Sequence, residues 1–405
     1  MGSRSGRFLQ LVTLVSAIIL LFGCQTTKPT PSTPITPPLI LADSTPAGKN
    51  IAGLKNMLPV YEAAVAHPWP TIPGNKKLAL GAQNDNVLLL RQRLLATQDL
   101  MTINDHGNNV FDTQLADAVK LFQRRHGLKA DGYVGQATLH ELNISPEQRV
   151  KQIELNIQRW ESLSHEMGHR YIMVNVPDYH LDVVEDGKTV LSMKAIIGKP
   201  ERQTPELSSV ITRVILNPYW NVPKKIAQKD IVPKVINDPD YLDDEHIKIL
   251  QQQTDHPAII NAADVDWLDA EENGFKYHFR QDPGVGNALG LVKFEFTNSD
   301  DIYLHDTPAK NLFDQDKRAF SSGCIRLEKP FELANYLMRN SPEWNDEHVK
   351  EILEIGKTSY IKAAKPTTII ITYITAWVDE YGLVEFRDDL YGRDAPPEQN
   401  NNTEE

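Results

Sequence analysis

The chain has 405 residues, 41% apolar and 24% charged, with a formal net charge of −12. That length allows two or three domains and at least one large core. The acidic balance, with no basic stripe, argues against nucleic acid as a partner, because phosphate binding rests on clustered Lys and Arg. Its two cysteines, Cys24 and Cys324, are too few and too far apart for a disulfide framework.

The first element reads as an export signal. Arg4 and Arg7 precede a mostly apolar run from Phe8 to Phe22, shorter than the ~20 residues of a membrane span and suited to the apolar region of a signal peptide. The run leads through Gly23 into Cys24, which resembles the lipobox of a bacterial lipoprotein, with Phe22 bulkier than the usual small residue. The resemblance implies that residues 1–23 are removed and that Cys24 is lipidated. Gln25, in place of Asp, implies the outer membrane, so the expected location is periplasmic, anchored to that membrane's inner face. Residues 24–49 are rich in Pro and Thr and read as an extended tether of roughly 70 Å at ~3.1 Å per residue. Residues 50–82 carry little signal and are taken as an N-terminal scaffold segment.

From 83 to 143 the periodicity is helical. Val87, Leu90, Leu94 and Leu95 share one face; Leu115, Ala118, Val119 and Phe122 share another after the N-cap Asp112, with Gly127 as the stop; Leu139 and Leu142 close a third short helix. This all-α three-helix unit resembles the peptidoglycan-binding domain of cell-wall enzymes. Residues 144–168 form a connecting helix around Val150, Ile153, Ile157 and Trp160. At Tyr171 the pattern switches to alternation, with a hairpin turn at Asp186-Gly187. Further strands are expected over 210–216, 292–296, 302–304 and 367–374. The polar stretch 223–290 reads as a helical insertion capping a cleft. Residues 377–405 are assigned to a C-terminal tail, disordered after Gly392.

The chemistry centres on Cys324, nineteen positions after His305. A cysteine nucleophile needs a thiolate, a base, and donors for the oxyanion. An ordinary thiol, with a pKa of ~8.5, is only slightly ionised at neutral pH. His305 is expected to hold the thiol proton as imidazolium and return it to the leaving group. Gly323 permits tight curvature, and the backbone N–H groups of Gly323 and Cys324 are expected to face the oxyanion.

Tyr303-Leu304-His305-Asp306-Thr307-Pro308, then Ser321-Ser322-Gly323-Cys324-Ile325-Arg326, resemble the catalytic motif of L,D-transpeptidases of the YkuD type. Ser322 stands where most of that family has His. This feature, with Asn217-Pro218-Tyr219-Trp220-Asn221-Val222-Pro223, is similar to the large periplasmic branch that carries a peptidoglycan-binding domain and a capping insertion. The resemblance implies a mainly β, sandwich-like catalytic domain over 169–376. Cys324 would be the nucleophile, His305 the base and acid, and Gly323 part of the oxyanion region. Tyr303, Arg326, Ser322 and Trp220 would line the substrate site. The implied reaction is thioester formation with a tetrapeptide stem and release of D-Ala, followed by transfer to a diaminopimelate amine to give 3-3 cross-links. Neither metal nor cofactor is needed, carbapenems would acylate the same thiol, and penicillin-binding proteins and carboxypeptidases are expected as functional partners. Alternatives with the same site are L,D-carboxypeptidase activity or attachment of proteins to peptidoglycan. A non-catalytic lipoprotein tethering the wall is a rival of another class.

One competing motif is present. His165-Glu166-Met167-Gly168-His169 matches the HExxH zinc-peptidase pattern. That chemistry needs both histidines on one continuous helix, and here Gly168 and the onset of β pattern at Tyr171 interrupt.

Overall fold

Thr45 caps the first helix, α1 (Pro46–Ala66): its hydroxyl accepts the Gly48 N–H at 3.1 Å, and Pro46 sits in the first turn, where no N–H is required. The computed structural model describes residues 45–101, 108–254 and 257–394. The signal segment, Cys24, the tether up to residue 44 and the tail beyond Asp394 lie outside them. The helix begins inside the stretch assigned to the tether, because the Thr-Pro pair that looked like linker composition is also a helix start.

Helices α2 (Asp85–Ala96), α3 (Thr113–Arg125) and α4 (Gln136–Asn143) form the expected small unit around Leu90, Leu94, Leu115, Val119, Phe122 and Leu142. Asp112 caps α3 by accepting the Leu115 N–H at 2.8 Å. Helix α5 (Pro146–Leu163) starts with a capping box between Ser145 and Gln148 and packs against α1.

The β domain opens with β1 (Arg170–Asn175), β2 (His180–Glu185) and β3 (Lys188–Gly198), then β4 (Leu207–Leu216). An insertion follows. It contains β5 (Trp220–Asn221), α6 (Lys224–Ile226), a π-helical turn at Ala227–Ile231, α7 (Val232–Asn237), α8 (Tyr241–Asp244), β6 (Ile247–Leu250), β7 (Ile259–Ile260), α9 (Trp267–Asn273) and β8 (His278–Gln281). The insertion is therefore not purely helical: β5-β8-β6-β7 make a four-stranded sheet, and Val232, Ile249 and Phe279 bury between sheet and helices. Its strands are only two to four residues long, too short for an alternating pattern to register.

The chain returns through β9 (Val292–Phe296), β10 (Leu304–His305), β11 (Ala319–Ser321) and β12 (Ile325–Leu327). Helices α10 (Pro330–Met338) and α11 (Asp346–Ile355) lead to β13 (Ser359–Thr372) and the hairpin β14 (Ala376–Val378) and β15 (Val384–Phe386). The large sheet runs β11-β3-β12-β10-β9-β4-β13-β1-β2, and β2 pairs back to β3, so the sheet closes on itself like a barrel. Its core takes one residue in two from each strand, with Leu333, Ala334, Leu337 and Met338 of α10 added.

Residues 376–386 are not a tail. Val384 and Phe386 are fully buried among Tyr61, Trp69, Ile153 and Trp160. Burial of Phe386 alone contributes ~1.5–3 kcal/mol. Arg125, at the end of α3, pairs with buried Asp99 and donates to the Val384 carbonyl. The hairpin thereby ties the three-helix unit to α1 and α5.

Candidate active site

Strand β10 lies between β9 and β12, and the register places Lys293, His305 and Arg326 in one row across the three strands. Residues paired in this way project from the same face of a sheet. Their neighbours Phe294, Leu304 and Ile325 form the next row, point the other way and are fully buried in the core. Two residues along from the charged row come Glu295, Tyr303 and Cys324. The outer face of the sheet thus carries the chemistry, because the alternation that fills the core leaves the polar positions outside.

Cys324 precedes β12 in a tightly held loop. Ser321 Oγ accepts the Gly323 N–H at 3.1 Å and donates to the Cys324 carbonyl at 2.5 Å. Gly323 has φ +120°, where a side chain would be strained. Its carbonyl accepts from Thr204 Oγ1 at 2.7 Å, and the same hydroxyl accepts the Gly198 N–H at 2.9 Å. The hydroxyl of Tyr391 joins this ring, donating to the Gly198 carbonyl at 2.6 Å and accepting the Thr204 N–H at 3.2 Å. The expectation that the Gly323 N–H faces the oxyanion is corrected, since Ser321 occupies it. Among the described residues the N–H of Cys324 itself carries no hydrogen bond.

Cys324 Sγ lies 3.8 Å from the Asp301 carbonyl. Burial pushes the thiol above its ordinary value, opposed by hydrogen bonds from the backbone and hydroxyl of Tyr303 and by the charges of Lys293 and Arg326. Tyr303 is itself raised by burial and by the thiol, and the Trp220 side chain also hydrogen-bonds to it. Lys293 Nζ sits over the Tyr303 ring, 4.1 Å from its centroid.

His305 is buried, with Nδ1 at 2.5 Å from the Asp306 carbonyl. A carbonyl only accepts, so Nδ1 carries the proton and Nε2 keeps its lone pair. Burial, then Arg326 and Lys293, lower the imidazole to about 3 against the hydrogen bond to Asp306. The resting pair is therefore a neutral thiol and a neutral imidazole. The sequence expectation of an imidazolium holding the thiol proton does not describe this resting state. Two cations lie in the same row, and strand register between Lys293 and Arg326, far apart in the chain, was not readable beforehand. The carboxylate of Asp306 faces away from this chemistry, accepting the Leu291 N–H at 2.9 Å and pairing with Lys310 at 2.5 Å.

Arg326 is lowered by burial, with Cys324 opposing, and its Nε is buried without a partner. Ser322 is exposed, and its hydroxyl accepts from Arg202 at 2.8 Å. Arg202 also grips Asp230 with both terminal nitrogens. Asp230 belongs to the π-helical turn of the insertion, so this pair links the cap to the cysteine loop. A cleft of about 690 Å³ opens between cap and sheet, lined by Tyr219, Lys224, Gln253, Leu289, Lys293 and Tyr303. The HExxH pentapeptide lies past the end of α5 at Leu163, so its histidines do not share a helix face. His169 is almost fully exposed, 3.5 Å from Asp186.

Site residues that sequence reasoning missed are Lys293, Thr204, Arg202 and Tyr391. Lys293 had one signal, a lone cation inside the alternating strand Val292–Phe296. The others had none, being distant in sequence from both Cys324 and His305.

The closed sheet carries His305 on its outer face and Cys324 one row along, beneath a cap, and this fold defines the class: a capped β domain. The family model described as "L,D-transpeptidase catalytic domain" (YkuD) matches residues 169–371, half of the chain, and that described as "Putative peptidoglycan binding domain" matches residues 83–142. The chain belongs to the L,D-transpeptidase catalytic-domain family. A "Putative L,D-transpeptidase" of Haemophilus influenzae is 32% identical over 300 residues, covering 72% of this chain and 58% of that protein. The chain thus spans less than two thirds of that relative's length. An L,D-transpeptidase structure from Stackebrandtia nassauensis is 15% identical, covers 75% of this chain and 96% of that one, and has a TM-score of 0.26. The catalytic domain from the E. faecium L,D-transpeptidase acylated by ertapenem is 13% identical, covers 51% and 98%, and has a TM-score of 0.25.

Proposed function

We propose that this protein is a cysteine-dependent L,D-transpeptidase acting on peptidoglycan stem tetrapeptides. The observation that carries the reading is the placement of His305 on β10 and of Cys324 immediately before the parallel strand β12, beside the capped cleft that Tyr303 and Lys293 line. His305 Nε2 takes the proton from Cys324 Sγ as sulfur attacks the carbonyl before the terminal D-Ala. The oxyanion is met by the free Cys324 N–H and the Tyr303 hydroxyl. Collapse breaks the C–N bond, His305 returns the proton to the departing D-Ala amine, and a thioester remains. A diaminopimelate amine then attacks, losing its proton to His305, and the re-formed thiol recovers it; water in that role would give carboxypeptidase activity. Anchoring at the outer membrane through lipidated Cys24, with the wall gripped by residues 83–142, completes the proposal.

The test is mass spectrometry of purified soluble protein with disaccharide tetrapeptides. Loss of D-Ala and a 3-3 dimer are expected from the wild type and from neither Cys324→Ser nor His305→Gln. Retained turnover in Cys324→Ser would refute the assignment.

A further inference from the structure

The row Lys293–His305–Arg326 places a cation on each side of the base, and this arrangement is unfavourable in the free protein. Arg326 has a buried Nε without an acceptor, and among the described residues no Asp or Glu pairs with it. Lys293 has the Tyr303 ring and a loose 3.9 Å contact with Glu295, whose carboxylate is taken by Arg213. The other acidic groups nearby compensate little: Asp306 is committed to Leu291 and Lys310, and Asp301 acts on Lys293 only behind Glu295. Partly buried cations with so little counter-charge are costly. The same two charges also hold His305 in its non-basic form, so the site has a base that cannot easily accept a proton until something negative arrives.

We propose that Lys293 and Arg326 form a carboxylate subsite for the acyl donor, flanking His305, so that a bound substrate carboxylate completes the site and enables the base. The proposal rests on the acyl-transfer reading and deepens it by naming the chemistry that the donor must carry. A stem tetrapeptide offers three such groups: the terminal D-Ala carboxylate, the free carboxylate of diaminopimelate and the α-carboxylate of the γ-linked D-Glu. All present the same anion. Its binding offsets the two cations and lets His305 take the thiol proton only when donor is in place, which limits wasteful reaction of the thiol. Lys293 is a binding residue that the catalytic motif does not contain. It reaches the site only because β9 pairs with β10.

The experiment uses Cys324 alkylation in the full chain, read at the peptide level so that Cys24 does not interfere. Iodoacetate carries the carboxylate and iodoacetamide is its neutral counterpart. The ratio of the two rates is compared with the ratio in the urea-unfolded chain, and iodoacetamide corrects for any general loosening of the loop. The folded ratio is expected to exceed the unfolded one by about tenfold or more, the scale of a hydrogen bond to a charged group. Lys293→Met and Arg326→Gln should each lower it, while Lys293→Arg keeps it. Tetrapeptides amidated at each of the three carboxylates in turn are then compared for protection of Cys324: the amide that abolishes protection identifies which carboxylate is bound. A folded ratio equal to the unfolded one, a ratio unmoved by both substitutions, or equal protection by free and amidated peptides would overturn the subsite. An elevated ratio without any tetrapeptide turnover would reject the transpeptidase reading and leave the subsite standing.

Discussion

Thr204→Val removes one hydroxyl hydrogen-bonded to two backbone groups that hold the cysteine loop. Thr204 is fully buried. Its Oγ1 donates to the Gly323 carbonyl at 2.7 Å and accepts the Gly198 N–H at 2.9 Å. Valine fills nearly the same volume, so no cavity term enters; what is left is an unsatisfied carbonyl and an unsatisfied N–H in a buried place. Each costs about 1–3 kcal/mol, so the variant should lose about 2–6 kcal/mol if neither group finds another partner. The Gly323 carbonyl belongs to the peptide that leads into Cys324, from a residue with φ of +120°, and misplacing a reacting group by about 1 Å costs on the order of 100-fold in rate. Urea unfolding and tetrapeptide turnover of the same preparation are the assays. Tyr391→Phe breaks the outer arm of the ring at Gly198 O and Thr204 N, is part-buried, and should cost about 1 kcal/mol. If Thr204→Val unfolds within about 0.5 kcal/mol of wild type, the range of an ordinary surface change, with turnover intact, then the ring does not position the nucleophile and the reasoning fails.

Acid stability follows from the histidines. His305 is held at about 3 in the folded protein by burial and its cationic neighbours, below the ~6.5 of an unfolded chain. The unfolded state therefore binds more protons between those values, and stability falls as pH drops below about 6.5; between pH 7 and 5 the loss from His305 is about 2 kcal/mol. Buried His126, lowered by burial and then by Arg149 and Arg125, adds a loss of the same sign. Urea midpoints across that window should show a shallower slope in His305→Gln, and an unchanged slope would contradict the burial argument. The cap gives a separate expectation. Asp230→Asn weakens the Arg202 grip on the π-helical turn, a partly exposed pair worth about 1 kcal/mol. Hydrogen exchange over 224–237 should quicken about fivefold at that value, and exchange equal to wild type would show that the pair does not latch the cap.

Much of the site was legible before any coordinates because its signals are local. The His305 and Cys324 segments carry their chemistry within six residues each, and the helices over 85–96, 113–125 and 146–163 follow from caps and apolar spacing alone. Helix α11 had comparable signals in its Asn345 cap and the left-handed Gly356 and was passed over. Strand β12 is only three residues long, below the length at which alternation is distinguishable from chance.

By itself, the sequence singled out Cys324 and His305 and laid down the helical unit and the long alternating strands from Tyr171 onward. Tertiary structure alone decided what stands beside them. Lys293 flanks His305 because β9 and β10 pair at that register, Ser322 meets the cap through Arg202, and Gly323 is held by Thr204 from more than a hundred residues away. The hairpin at 376–386 became core rather than tail for the same reason. Local pattern sets which way a side chain faces, whereas long-range pairing sets its neighbours. In a site of buried charges, those neighbours determine whether His305 can act as a base.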